Sequence, residues 1–114
     1  MSVTTTYKQN DTLPEYTATL VKKSHDGIVT PIDLSGSSVK FLMKSITKAP
    51  QTVIDNAAEL VEASAGKVKY VWESGDLQTH GSYSVEWEIT FGDGKILTVP
   101  SVGYDKIVVL SDLN

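Results

Sequence analysis

The strict alternation of apolar and polar residues over Ser82–Phe91 is the feature that most limits what this chain can fold into. A period of two places every second side chain on one face of a β-strand, whereas a helix would scatter the same residues around its axis. Gly92-Asp93-Gly94 follows as a hairpin turn signal, and Lys95–Val99 is the returning strand. The positions that we expect to face the core are Tyr83, Val85, Trp87 and Ile89.

The same two-residue period recurs along the rest of the chain and predicts an all-β, antiparallel fold. Gly, Pro, Asn, Asp and Ser cluster between the periodic runs, as turns require. About seven or eight short strands joined by such turns are typical of a sandwich or a barrel. The further predicted strands are Val3–Gln9, Glu15–Lys22, Ser38–Ile46, Lys67–Glu73 and Asp105–Leu110.

Two segments depart from this pattern. Asn56–Ala63 has good helix propensity and a candidate N-cap at Asn56, but it is short and lies between strands. Because a helix of about two turns is marginal on its own, we favour a strand there over a helix. Pro100 and Gly103 are expected to bend or bulge the last strand rather than end the sheet.

An acidic residue and a Gly-x-Tyr sequence stand before the strongest strand. Asp76 followed by Gly81-x-Tyr83 resembles the tyrosine corner of immunoglobulin-like domains, in which the phenol bonds back to the preceding turn. This order predicts that Lys67–Glu73 and Ser82–Phe91 lie in opposite sheets, whereas the alternative is a plain hairpin between them. We therefore expect an immunoglobulin-like β-sandwich of about seven to eight strands. The residues that this arrangement would bring together are Trp72 and Trp87.

Composition limits the number of domains and the kinds of site. The 114 residues suit a single domain, 1–114. There are no cysteines, so disulfides, thiolate nucleophiles and cysteine-based metal centres are excluded. All ten basic residues are lysines and the net charge is −4, which argues against a nucleic-acid partner. The sequence shows no signal peptide and no apolar run of membrane-spanning length, so we expect no membrane partner.

Candidate catalytic side chains are few, and each has a simpler structural interpretation. His25 and His80 lie in predicted turns without the spacing of a zinc pair, so we interpret them as solvated turn residues. Glu86 and Glu88 are separated by about 7 Å along one strand, which could suit a pair of glycosidase carboxylates. They flank Trp87, however, and are therefore expected to face outward on a solvated sheet.

Calcium and sugar sites are the remaining possibilities. Asp26, Asp76 and Asp93 lie in turns but not in a spaced acidic series, and turns favour Asp in any case. An aromatic stripe at strand spacing could be a sugar platform but is more often core. The stripe comprises Tyr70, Trp72, Tyr83 and Trp87. We predict no catalytic, cofactor-binding or metal-binding residue, no cofactor and no enzymatic activity.

The succession of these blocks resembles the N-terminal domain family of phage baseplate upper proteins. The longest matching block is Gly27–Met43, which contains Pro31, Asp33-Leu34 and Val39-x-Phe41-x-Met43. The blocks that follow in the family's order are Gly66–Trp72, Asp76, Gly81-x-Tyr83, Glu86–Ile89, the Asp93-Gly94 turn, Pro100 and Ile107–Val109.

The resemblance implies a non-enzymatic structural component of a bacteriophage virion, in the tail, baseplate or neck or associated with the capsid. The implied partners are other virion proteins, with self-association into a homo-oligomer as a further possibility. The implied location is the virion, after synthesis in the host cytoplasm. Sheet edges and the apolar strand Ile107–Leu110 would supply the docking surfaces. The alternative function is a β-sandwich module that binds a carbohydrate or a surface protein.

Overall fold

The chain folds as an all-β protein. A computed structural model describes residues 4–46, 51–100 and 105–111. These residues form eleven strands and one turn of 3₁₀ helix, η1 (Ala63–Ala65). The strands are β1 Thr4–Lys8, β2 Tyr16–Thr19, β3 Val21–Lys23, β4 Val29–Pro31, β5 Ser38–Ser45, β6 Gln51–Ala57, β7 Glu59–Glu62, β8 Lys67–Tyr70, β9 Gly81–Thr90, β10 Ile96–Val99 and β11 Asp105–Leu110. Over the same residues, no helix is long and apolar enough to cross a membrane.

The strands form three sheets. The largest has the order β1-β11-β9-β5-β6, with β10 also paired to β9. A second sheet has the order β2-β8-β7, and β3 and β4 form a separate two-stranded hairpin. β1 pairs with β11 in parallel, so the largest sheet is mixed rather than purely antiparallel. The all-β prediction is confirmed, but the strands are more numerous and the sheets more divided than we predicted.

The central strand β9 organises the largest sheet. Its four alternating apolar side chains are all buried, as predicted, and β5 pairs along eight of its residues. On its other side, β11 pairs with the first half of β9 and β10 with the second half. The predicted turn joins β9 to β10, where the Gly94 N–H donates to the Phe91 carbonyl at 2.9 Å.

The segment Asn56–Ala63 is extended, as we favoured, and is not an α-helix. It contains the end of β6 and all of β7, and the chain passes from the largest sheet to the second sheet at Ala58. At this passage the Ala58 N–H donates to the Val39 carbonyl at 2.8 Å. Pairing with β5 and then with β8 therefore overrides the local helix propensity.

The predicted strand Glu15–Lys22 is divided. β2 ends at Thr19 and β3 begins at Val21 in a different sheet, while Leu20 between them is buried. The chain then returns as β4, which the sequence pattern did not predict because none of its residues is buried.

Pro100 lies in the break between β10 and β11, which continue one another along β9. The strand is therefore interrupted at Pro100, and the sheet continues in β11, as expected. Gly103 and Val3 lie outside the described residues.

Aromatic rings from the largest and second sheets form one core. Phe41 of β5 is fully buried and stacks on Tyr70 of β8, with ring centroids 4.4 Å apart. Tyr16 of β2 stacks on Trp87 of β9 at 5.9 Å. Trp72 and Trp87 both contact Phe41, at 5.7 and 5.0 Å, so their predicted meeting takes place through that ring.

The corner hydrogen bond predicted for Tyr83 is present. The Tyr83 hydroxyl donates to the Thr79 carbonyl at 2.5 Å, and β8 and β9 lie in different sheets. The Asp76 carboxylate accepts hydrogen bonds from the Tyr70 hydroxyl at 2.8 Å and from the Glu73 N–H at 2.9 Å. These bonds fix the chain where it crosses between the sheets, and they rule out the plain hairpin.

Candidate functional site

The β3–β4 hairpin forms the longest exposed run in the described part of the chain. Every residue from 21 to 31 is exposed. Its apolar side chains include Val21, Ile28 and Val29, which are 41%, 59% and 55% exposed. A two-stranded hairpin is at best marginally stable in water on its own, and clustered exposed apolar side chains mark interaction sites. The hairpin is therefore the candidate functional site.

The turn of this hairpin is held by hydrogen bonds among its own residues. The Gly27 N–H donates to the Ser24 carbonyl at 2.9 Å, and the Ser24 N–H donates to the Ile28 carbonyl at 2.9 Å. Gly27 has a φ of 89°, a conformation that glycine adopts without strain. The Ser24 hydroxyl donates to the Asp26 carboxylate and is the main cause that lowers the pKa of Asp26. The turn is therefore specified locally.

The base of the hairpin is fixed to the core by two buried residues. Leu20 and Ile32 flank the exposed run, and the Ile32 N–H donates to the Leu20 carbonyl at 2.9 Å. The Leu20 N–H in turn donates to the Gly66 carbonyl at 2.8 Å. A Cβ at Gly66 would lie 2.6 Å from the Leu20 carbonyl oxygen, so only glycine allows this close approach. Gly66 thus sets the position from which the hairpin projects.

Charge and apolar surface are combined on the hairpin. Val21 lies opposite Pro31, and Lys23 lies opposite Val29, so these four residues share one face. Lys22 lies opposite Thr30 on the other face. Neither lysine takes part in an ion pair with the described residues. The hairpin therefore presents aliphatic side chains beside two unpaired positive charges.

A second exposed element is the edge strand β7. It is the outermost strand of the β2-β8-β7 sheet, and all four of its residues are exposed. Leu60 and Val61 are 39% and 57% exposed, and they stand between Glu59 and Glu62. The pairing with β8 shifts between Leu60 and Glu62, so Val61 is the extra residue of a bulge. This edge is apolar at its centre and acidic at both ends.

A hollow of about 220 Å³ lies at the foot of the hairpin, between β2 and the last strands. Its lining includes Leu20, Trp87, Val99 and Asp105. The Trp87 indole N–H is buried, and it has no hydrogen-bond partner among the described residues. A bound water or a small ligand oxygen could accept from it.

Burial raises the pKa of two phenols in the core. Burial raises the pKa of Tyr16 to about 12, and the nearby charge of Asp105 contributes in the same direction. The pKa of Tyr70 is raised to about 12, again chiefly by burial. Both phenols therefore stay neutral over the physiological range and serve the core rather than proton transfer.

The histidines and glutamates considered from the sequence lie apart from the hairpin's apolar face. His25 is exposed in the hairpin turn, and His80 is exposed just before β9. Glu86 and Glu88 are half-buried and alternate with the buried core positions of β9, so they lie on its outer face. Glu88 is opposite Lys40 in the register with β5. The outward orientation predicted for the two glutamates is confirmed.

The three turn aspartates accept local hydrogen bonds, as we predicted for Asp in tight turns. Asp26 accepts from Ser24, and Asp93 accepts from the Lys95 N–H at 3.0 Å. Asp76 belongs to the corner described above. Over the described ranges, no group of three or more His, Asp or Glu side chains is arranged to hold a metal ion.

The aromatic stripe lies in the core. Its members are 1% to 5% exposed, which leaves no flat ring surface for a sugar. The interpretation of the stripe as core is therefore confirmed. The members are Tyr70, Trp72, Tyr83 and Trp87.

The hairpin and the β7 edge were not identified from the sequence as functional. The sequence feature that could have indicated the hairpin is the run from Val21 to Pro31. Its apolar residues do not alternate with polar ones as they do in a strand that buries one face. Edge position is a property of the tertiary structure, so no pattern in the sequence indicated that β7 would be an edge strand.

Comparisons with known proteins find similarity among solved structures. No protein-family model matches the chain, and no curated protein matches it significantly. Among solved structures, CopC from Methylosinus trichosporium OB3b aligns with a TM-score of 0.49 and 15% sequence identity. The alignment covers 99% of this chain and 89% of that chain.

The prediction of a structural virion component is wrong on this comparison, because the similar solved structure is CopC and not a virion protein. The physical reason lies in the matching blocks. Gly66, Asp76 and Tyr83 make a close approach, a turn and a corner, so these blocks record requirements of the fold rather than a function. The resemblance to the baseplate family itself is not tested by any of these comparisons and stays a prediction.

Proposed function

We propose that this chain is a non-catalytic assembly domain that associates with copies of itself through the β3–β4 hairpin. The observation that carries the proposal is a hairpin that is exposed along its whole length, from residue 21 to residue 31. Its apolar side chains find no place in the core, because the chain leaves the core at Leu20 and returns to it at Ile32. Covering this surface in an oligomer would stabilise both the hairpin and the contact.

The frame that presents the hairpin is an immunoglobulin-like sandwich. The Tyr83–Thr79 bond supports this interpretation, as does the placing of β8 and β9 in different sheets. Rings from both of these sheets share one core, as in a two-layer fold. The hairpin belongs to neither sheet, so it is an addition to the sandwich rather than part of it.

Charge favours a second copy as the occupant. The hairpin carries Lys22 and Lys23 against a single acid, Asp26, whereas the whole chain has a net charge of −4. The acidic excess therefore lies on the rest of the surface. A basic arm and an acidic body on the same molecule attract one another between copies.

The described residues give less support to a carbohydrate-binding module. The large apolar side chains exposed among them are all aliphatic, and the aromatic stripe is buried. Sugar binding usually relies on an exposed ring, and no ring of this kind is presented by the described surface.

Sedimentation velocity over a range of protein concentrations tests the proposal. We expect concentration-dependent association, and we expect I28S/V29T to raise the dissociation constant at least about tenfold, since tenfold corresponds to about 1.4 kcal/mol. Val53→Thr is the matched control, because Val53 on β6 is 45% exposed but lies outside the hairpin. A chain that stays monomeric at all concentrations, or that loses as much association with Val53→Thr, would overturn the proposal.

A further inference from the structure

We infer that the surface that receives the hairpin is the outer edge of β7 in a second copy, so that β3 extends the neighbour's β2-β8-β7 sheet. The inference rests on the proposed self-association and adds the acceptor surface to it. An edge strand presents a row of unpaired N–H and C=O groups that another strand can complete. Both β3 and β7 are edge strands in the described sheets.

The side chains of the two strands are complementary in charge. β3 carries Lys22 and Lys23, and β7 carries Glu59 and Glu62. None of these four residues forms an ion pair with the described part of its own chain. Opposite charges across paired strands stabilise the pair, and they also favour one register over others.

The apolar side chains are complementary as well. In an antiparallel register with Lys23 opposite Glu59, Val21 of one copy reaches the bulge at Val61 of the other, and Lys22 lies opposite Leu60 on the other face. Val21 is 41% exposed and Val61 is 57% exposed. The contact therefore covers two exposed aliphatic side chains at the same time as it pairs Lys23 with Glu59.

The other sheet edges match the hairpin less well. On the β6 edge, Asp55 is already paired with Lys40 at 3.6 Å. Beside the β2 edge, Glu15 is paired with Lys69 at 3.3 Å. The β1 edge ends in a lysine, Lys8, which would repel the basic hairpin. Among the edges of the described sheets, β7 alone carries two unpaired carboxylates beside exposed aliphatic residues.

The hairpin and the β7 edge are different surfaces, so the contact joins two unlike patches on the two copies. Two copies close into a dimer if each inserts its hairpin on the other's β7, and they form a ring or a chain if the two contacts do not meet. Charge reversal distinguishes this contact from any other that uses the hairpin, because it can be made separately on the two surfaces.

The experiment uses two charge-reversed variants of the full chain, K22E/K23E and E59K/E62K, in sedimentation velocity. Each variant alone brings like charges together, so we expect each to weaken association at least about tenfold relative to the unchanged chain. An equimolar mixture of the two restores attraction on both surfaces, and we expect it to associate again. K44E/K95E is the matched control for K22E/K23E, since it makes the same change in net charge at two exposed lysines outside the hairpin.

The outcomes separate the two proposals. Association that is lost in K22E/K23E but kept in E59K/E62K would overturn the β7 acceptor and leave the hairpin contact standing. A mixture that does not associate would also overturn the β7 acceptor. An unchanged chain that never associates would overturn the proposed function itself. Circular dichroism of each variant confirms that the fold is intact, so that lost association is not lost folding.

Discussion

The chain contains two antiparallel hairpins with comparable turns but opposite surroundings. β9–β10 closes on Gly92–Gly94 and buries one face, including Trp87, Ile89 and Val99. β3–β4 closes on Ser24–Gly27 and buries none of its strand residues. Both turns have an aspartate that accepts a local hydrogen bond and a glycine with a φ of 89°.

The difference shows that the turn residues determine where a hairpin forms, whereas packing determines whether its side chains join the core or stay exposed. β9 is the central strand of the largest sheet and contributes to the core of the whole molecule. β3–β4 gains nothing from the core beyond its anchors at Leu20 and Ile32, so its side chains remain available for another molecule. Substitutions in the two hairpins should therefore change different properties.

The largest expected effect on stability is at the centre of β9. Trp87 is 1% exposed and contacts Phe41 and Tyr16, so Trp87→Ala should lower the free energy of unfolding by about 3–5 kcal/mol. The matched change in the other hairpin, Val29→Ala, should stay within about 0.5 kcal/mol. Urea unfolding followed by tryptophan fluorescence or circular dichroism measures both. Similar losses of unfolding free energy at Trp87 and Val29 would show that the exposed hairpin packs on the rest of the protein.

The second expected effect concerns the residue below the exposed hairpin. Gly66→Ala combines a φ of 72° with backbone oxygens 2.6 and 2.9 Å from the new Cβ, so we expect a loss of about 2–4 kcal/mol. Gly27→Ala has a φ of 89° but no atom within 4 Å, so its loss should be about 1 kcal/mol. Thermal unfolding of the two variants compares them, and equal losses would refute a role for the close approach to Leu20.

A smaller effect is expected at the corner that leads into β9. Tyr83→Phe removes the hydroxyl that donates to the Thr79 carbonyl, and the loss should be about 1 kcal/mol. Within the described residues, no side-chain hydroxyl of the exposed hairpin bonds to the rest of the molecule, so no single hydroxyl there should matter as much. Chemical denaturation gives the value. No change in stability would mean that water replaces the phenol without cost.

The smallest expected effect is in the turn of the exposed hairpin. Ser24→Ala should change stability by no more than about 0.5 kcal/mol. The pKa of Asp26 should rise toward its usual value, because the Ser24 hydroxyl is the main cause that lowers it. NMR titration of the carboxyl measures the shift. Asp33, whose pKa is lowered by Ser35, is the internal reference and should not move.

Local patterns predicted much of the fold. The alternation over Ser82–Phe91 predicted the buried face of β9, and the Asp76 to Tyr83 order predicted the corner bond. These predictions succeeded because strand faces, turns and corners depend on residues close together in the chain. The outward glutamates and the structural roles of the turn aspartates followed from the same local rules.

The sequence by itself determined most of the extended segments, the buried face of β9 and several of the turns, because these depend on the period of apolar residues and on short-range hydrogen bonds. Only the tertiary structure decided that β1 runs parallel to β11, that the chain leaves one sheet for another at Leu20 and Ala58, and that β7 is an edge. These features depend on contacts between segments far apart in the chain. The proposed site consists of such features: a hairpin that the core does not cover and an edge that no strand completes.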